Sequence, residues 1–440
     1  MKTRKEKDAL GTVEVPAESY GGSFFTRARK NFQISELRAP VSFACALALI
    51  KIAAARVNSE LGHLERKKAK AIEQAGKEFL EGLYDEFFEL DVYQAGAGTP
   101  FNMTMNEILA NRANEILGGK KGSYDHVHPN DHVNMSQSSN DVIPSAIRLA
   151  ALVDLEELLE EEEKLRASLL KKAEQFKRVL KVGRTHLQDA VPVTLGQEFE
   201  AWASALCNAH IRIHGAGFEL EVLGIGGTAI GSGINTPPKF AEKMVKELAK
   251  LTGLPGLEVA ENKFETTHSM APFLATSSAL RSMAVELLRI CNDLRLMASG
   301  PEAGFNEIRL PEVEPGSSIM PGKVNPSVLE ALCMICTQVI GLDASICLAA
   351  QKGEFELNWY TPLIACDLLH QIEILTNGMN MLREDCIDGL RANEKEMRAV
   401  LENSCAMATA LVPKLGYHKV AELVKKAKKT KRKFSDLKID

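Results

Sequence analysis

Tryptophan is scarce in this chain, with two in 440 residues. Alternating β-branched runs are also rare, so any strands are expected to be short and near the N-terminus. The opening MKTRKEKDALGTVEVP is charged and no apolar core follows it, which argues against a secretory signal. No uncharged stretch reaches the roughly 20 residues of a membrane span. The most apolar early run, from Val41 to Val57, is interrupted by Lys51 and Arg56, so a soluble chain is expected. A surplus of positive charge is lacking too: the net charge is -5, which gives no reason to expect a nucleic-acid partner. The basic run KKAKKTKRK at 425–433 reads as a solvated chain end. No GxGxxG or GxxxxGK[ST] is present and no His/Cys/Asp group has metal spacing, so neither cofactor nor metal is implied. The nine cysteines are odd in number and scattered through apolar contexts, which suggests free thiols in a reducing cytoplasm. Cys333 and Cys336 form a CxxC without a second pair nearby, and packing explains them better than redox work.

What the chain does have is long helical periodicity. Val142 to Phe176 is rich in Leu, Ala, Glu and Lys with apolar residues at i, i+3, i+4 spacing. Similar runs cover 197–222, 237–251, 266–299, 328–350 and 360–397. Pro144, Pro237 and Pro362 sit near helix starts, where a missing N–H costs little. Several runs reach 30 residues, a length that suits helices packed side by side in a bundle, shared between subunits. Gly-rich or polar connections separate them at 95–106, 126–141, 183–188, 224–235 and 300–325. Loops held by rigid helices are where chemistry usually resides.

The segment Gly316-Ser-Ser-Ile-Met-Pro-Gly-Lys-Val-Asn-Pro326 is the most informative. Gly316, Pro321 and Gly322 allow sharp bends, and Asn325 with Pro326 signals the start of a helix near Ser327. Lys323 then lies just before a helix N-terminus, with Ser317 and Ser318 on the same loop. A cation, free backbone N–H groups and hydroxyls together suit a carboxylate ligand.

This undecapeptide resembles the signature of the fumarase/aspartase superfamily. The resemblance extends through DALGTVEVP (8–16), DVYQAGAG (91–98), HPNDHVNMSQSSND (128–141), GRTHLQDAVPVTLGQEF (183–199), GTAIGSGIN (227–235), NDLRLMASGP (292–301) and FELN (355–358). It implies a mainly α, three-domain fold with a central long-helix bundle, divided at 1–137, 138–392 and 393–440. It also implies a homotetramer whose active sites each draw loops from three chains, acting on a small dicarboxylate. The chemistry implied is proton removal beside a carboxylate and loss of a group from the neighbouring carbon, through an aci-carboxylate dianion. Such an intermediate needs several donors fixed on one carboxylate before charge develops. By resemblance Thr99, Ser138, Ser139 and Ser318 grip that carboxylate, while Lys323 and Asn325 help hold the substrate. Asn140, Thr185 and His186 face the leaving group or the other carboxylate. Ser317 matches the loop serine assigned as base, and its anion needs help, for which Lys323 and the helix N-terminus are the expected source. His186 matches a His that the family pairs with the Glu at Glu330, which orients the ring. His128 lies in a segment resembling a secondary anion site of fumarases.

Ammonia and water are the competing leaving groups. DVYQAGAGT, Leu187, NDLRLMASGP and the ILTNGMN run from Ile374 resemble aspartases. HPNDHVN, the second Ser of SQSSND and NKFE at 262–265 resemble fumarases. The balance of segments favours deamination of L-aspartate, with fumarate hydration as the alternative. Argininosuccinate and adenylosuccinate lyases fit less well outside the signature loop, and intact Ser317, Lys323, Asn325 and His186 argue against a retired, purely structural lyase. Three departures stand out: Pro100 follows Thr99 where Ser or Gln is usual, Glu302 replaces an Arg, and the chain stops at Asp440, short of much of the family's small C-terminal domain.

Overall fold

Long helices dominate the computed structural model, which describes residues 2–84, 86, 88–430 and 433–436. Of the basic run at 425–433, Lys431 and Arg432 lie outside the described residues. The expected helical runs appear as Ser139–Gln175, Leu195–Gly217, Phe240–Thr252, Ala271–Met297 and Ser327–Ala350. The run expected over 360–397 is broken instead. Helix Thr361–Leu382 passes into a wide turn at Arg383–Ile387, and a new helix, Glu394–Asn403, follows. Lys172 holds the break, donating to the carbonyls of Asp388 (3.0 Å) and Leu390 (2.8 Å).

The expectation that strands lie near the N-terminus is only half right. Thr3–Asp8 and Gly11–Pro16 form a hairpin there, but a second hairpin, Leu180–Thr185 with Gln188–Thr194, stands mid-chain. Its apolar and β-branched residues alternate over too few positions to stand out against the helical background.

The chain divides into two compact units: Met1–Leu158 with Arg212–Arg281 and Val339–Glu373, and Leu159–Ile211 with Ser282–Gln338 and Ile374–Asp440. Both draw on the long helices, so the blocks 1–137, 138–392 and 393–440 describe order along the chain and not these units.

In the first unit, helices Val41–Glu60, Arg66–Leu80 and Thr99–Ile116 pack together around Phe43, Phe88 and Phe101. Phe101 meets Phe43 edge-on at 5.5 Å and stacks on Phe88 at 5.6 Å. Helix Ser23–Asn31 has no local side-chain cap. Its free N–H groups are met by Glu107, which accepts from Gly22, Phe24 and Phe25 at 2.8–3.0 Å. Burial pushes that carboxyl up to about 7 against the pull of the three amides. On the surface of the unit Arg56 bridges Glu73 (2.6 Å) and Glu247 (2.7 Å), tying helix Phe240–Thr252 to the N-terminal helices.

The second unit carries the mid-chain hairpin and small clusters at Val182, Leu401 and Ala406 and at Ala408, Val420, Ala427 and Phe434. Buried Glu162 is paired with His210 (2.7 Å) and Arg166 (3.1 Å).

Arg56 and Lys77 hold the Glu73 carboxyl down to about 2, Arg56 contributing most. The folded value is depressed, so this stabilisation is present above the unfolded value near 4.5 and is lost as pH falls towards 2. The stability gap between wild type and Glu73→Gln, measured by urea unfolding, should shrink by up to about 3 kcal/mol between pH 6 and pH 2.5.

Candidate active site

The expected site residues fall into two groups, one in each unit. In the first, Gly96–Gly98 form a tight turn before helix Thr99–Ile116, with Ala97 (φ 59°) and Gly98 (φ 68°) both left-handed. A Cβ on Gly98 would lie 3.0 Å from Ile143, so glycine lets the turn press against helix Ser139–Gln175. The region read as a loop to residue 106 is thus helical from Thr99 onward. Pro100 is buried in the first helical turn, where its absent N–H has no helical acceptor. The ring costs the helix nothing there, although the turn offers a ligand one donor fewer.

Ser138 opens helix Ser139–Gln175 through a reciprocal cap. Its N–H donates to Asp141 Oδ1 (2.9 Å) while its Oγ accepts from the Asn140 N–H (3.3 Å). The second carboxylate oxygen of Asp141 accepts from the N–H groups of Gly226 (3.0 Å) and Thr228 (2.9 Å). One buried side chain therefore fixes both the serine loop and the glycine-rich loop at 224–233. Burial pushes the Asp141 carboxyl up to about 6, opposed by those amides and by Lys51. Asn140 Nδ2 donates to the Ala229 carbonyl (2.7 Å), and Ser139 Oγ accepts from Asn102 Nδ2 (3.1 Å). Ser138, Ser139 and Asn140 thus rest on a hydrogen-bonded floor through Asp141 and Asn102, and Thr99 begins the helix that carries Asn102. Asn102 and Asp141 belong to that floor and were missed; the signal was polar side chains recurring inside otherwise apolar helical segments.

In the second unit Thr185 and His186 occupy the tip of the hairpin and are exposed. His186 (φ 57°) and Leu187 (φ 58°) form a two-residue turn in which both are left-handed. Asn and Gly normally fill such positions, and bulkier residues there hold strain that marks a functional candidate. The base of the hairpin is anchored by charge. Lys181, 1% exposed, contacts Glu198 (2.8 Å) and Glu307 (2.7 Å), and Arg184 contacts Glu307 (2.7 Å) while lying over Phe305.

The loop at 316–325 closes on itself. The Gly316 N–H donates to the Lys323 carbonyl (2.8 Å), and Asn325 Nδ2 donates to the Gly316 carbonyl (2.7 Å). A Cβ on Gly316 would sit 2.6 Å from the Lys323 oxygen, so only glycine closes this loop. Asn325 does not cap the following helix as expected: its Oδ1 accepts from Lys323, and Pro326 supplies the carbonyl that receives the Glu330 N–H (3.0 Å). Ser317 Oγ accepts from the N–H groups of Ile319 (3.2 Å) and Met320 (2.9 Å). Two such donors favour negative charge on that oxygen. Lys323, expected to provide help to a Ser317 anion, is turned to Asn325, and the donors on the Ser317 oxygen are the loop's own amides. Ser317 is half-buried, and Ser318 beside it is exposed.

Among the described residues no hydrogen bond or ion pair joins His186 to Glu330, or either to the loop at 316–325. His128 Nδ1 accepts from the N–H groups of Asn130 and Asp131, both at 3.3 Å, and so caps its own turn. Cys336 is buried, which pushes its thiol up to about 12, and no group of three potential metal ligands occurs among the described residues.

A family model described as a lyase matches residues 11–341. A class II fumarate hydratase of Bradyrhizobium diazoefficiens is 46% identical over 97% of this chain and 90% of its own length. One of Neisseria meningitidis is 45% identical over 100% and 95%. The crystal structure of a class II fumarase from Schistosoma mansoni superposes with a TM-score of 0.96 at 37% identity, covering 98% of this chain and 94% of that one. These relatives confirm a mainly helical fumarate-lyase fold. They overturn the expectation of an aspartate ammonia-lyase, because the near-full-length relatives are hydratases. Two of the four features that favoured deamination lie in long helices. NDLRLM lies within helix Ala271–Met297 and ILTNGMN within Thr361–Leu382, so both report scaffold and not the leaving group.

Replacing Glu307 with Leu strands Lys181 and Arg184 beside one fewer carboxylate. Breaking a buried pair in this way should cost about 3 kcal/mol or more, whereas Glu198→Gln, at the more open end, should cost less. Thermal or chemical unfolding of the two variants checks the order.

Proposed function

Because the chain belongs to the lyase family whose model matches residues 11–341, we propose that it interconverts fumarate and L-malate by adding and removing water. The observation that carries this reading is the 45–46% identity to fumarate hydratases across nearly the whole chain. From malate, the Ser317 oxyanion takes a proton from the carbon beside one carboxylate. The electron pair moves into that carboxylate and forms the aci-carboxylate dianion. The neighbouring C–O bond then breaks, and a proton delivered from the side of His186 lets the hydroxyl leave as water. Ser317 afterwards returns its proton to solvent. Thr99, Ser138, Ser139 and Ser318 hold the developing dianion, with Lys323 and Asn325 retaining the substrate. Asn140, Thr185 and His186 face the departing water, and Glu330 orients the imidazole. The two backbone donors on Ser317 Oγ support its part as base.

We also infer a homotetramer in which each site takes these segments from different copies of the chain. Apolar side chains on the long helices support this: Ile211, Met334 and Leu348 are 62%, 68% and 60% exposed in the single chain. Helix Ser327–Ala350 is apolar enough to cross a membrane by length and composition, yet only 28% of its most apolar window is buried. Other copies would cover that face.

Incubation of fumarate with and without ammonium tests the reaction. Malate should form at full rate without ammonium; aspartate formed only with it, and no malate, would overturn the proposal. Ser317→Ala should lower kcat by about a thousandfold while the melting temperature holds. Sedimentation at dilute protein should give a tetramer, and a fully active monomer would refute the shared site.

A further inference from the structure

Lys51 lies in the middle of the apolar helix Val41–Glu60 and is fully buried. Its ammonium has three N–H groups to place and no capacity to accept. All three partners are amide oxygens: Asn102 Oδ1 at 2.6 Å, Gln137 Oε1 at 2.9 Å and Asn134 Oδ1 at 3.1 Å. Burial pushes the group down to about 7 and the Asp141 carboxylate opposes this, while three acceptors around Nζ fit the charged form.

The cation fixes which end of each amide faces it. Gln137 agrees independently, since its Nε2 donates to the carbonyls of Val133 and Met135, both at 3.0 Å. For Asn102 the consequence reaches Ser139. With Oδ1 held by Lys51, Nδ2 must point away, and it donates to Ser139 Oγ at 3.1 Å. Ser139 has then accepted from behind, and its single hydrogen is left for a partner in front. Rotating the Asn102 amide by half a turn would present an oxygen to Ser139 and draw that hydrogen inward.

We propose that Lys51 is a positioning residue for the hydration reaction, acting through Asn102 to keep the Ser139 hydroxyl a donor towards the substrate carboxylate. The proposal rests on the reading of Ser139 as one of the groups holding that carboxylate. No step of proton transfer passes through Lys51; it sets the direction of a hydrogen bond two residues away.

The test measures kcat/KM for fumarate in the full-length enzyme, with assembly and melting followed in parallel. Ser139→Ala should lower kcat/KM on the order of a hundredfold, the usual effect of losing one donor to a developing oxyanion. Lys51→Met and Asn102→Ala should each lower it about tenfold or more. Combining either with Ser139→Ala should lower it no further than Ser139→Ala alone, to within about twofold. A merely structural lysine would give effects that multiply, and that outcome overturns the proposal, as would unchanged kcat/KM in Asn102→Ala. If Lys51→Met does not fold, Asn102→Ala and its double variant decide the matter. An unaffected Ser139→Ala would remove the underlying site reading itself, and this proposal with it.

Discussion

The first unit depends on buried carboxylates that receive backbone N–H groups from distant loops. Asp141 joins the serine loop at 138 to the glycine loop at 226–228, and Glu107 closes the open end of helix Ser23–Asn31. Asp91 does the same for the turn at 34–35. Each keeps an acidic group away from water, which is costly, and recovers the cost through several short contacts at once. Because a loop amide cannot shift without leaving a buried oxygen unpaired, these loops inherit the rigidity of the helices beneath them. The second unit achieves a similar end with ion pairs, through Glu307 between Lys181 and Arg184.

Much of the helical architecture was legible because amphipathic spacing persists over many turns. The limits of Ser139–Gln175 and Ser327–Ala350 fall within a few residues of those read from the pattern. The break after Leu382 was hidden because Arg383–Ile387 keeps a helical composition while its hydrogen bonding widens. The mid-chain hairpin was hidden for a different reason, since its pairing is set by tertiary contacts more than by propensity. At the candidate site the chemistry-bearing loops stood out, as their glycines and hydroxyls interrupt the helical period. Asn102 did not, because the polar side chains that recur along its helix do not themselves say which of them meets a residue 37 positions later. Asn325 was legible as a special residue but its task was misjudged: a capping side chain and a loop-closing one look alike until the partner is known.

The choice of leaving group illustrates a wider asymmetry. Helices shared by related enzymes preserve packing whatever reaction they frame, so motifs within Ala271–Met297 and Thr361–Leu382 carried little weight on substrate. The relatives similar over nearly the full length are fumarate hydratases, which the isolated segments did not reveal.

The turn at His186 and Leu187 has a consequence for anyone engineering this scaffold. A stabilisation scheme that scores backbone preference would replace the pair with Asn-Gly, the sequence best suited to two consecutive left-handed residues. The exchange would raise thermal tolerance and delete the imidazole in one stroke. Under the proposed function, thermostable libraries should keep these two positions and seek their gains among exposed helix surfaces instead.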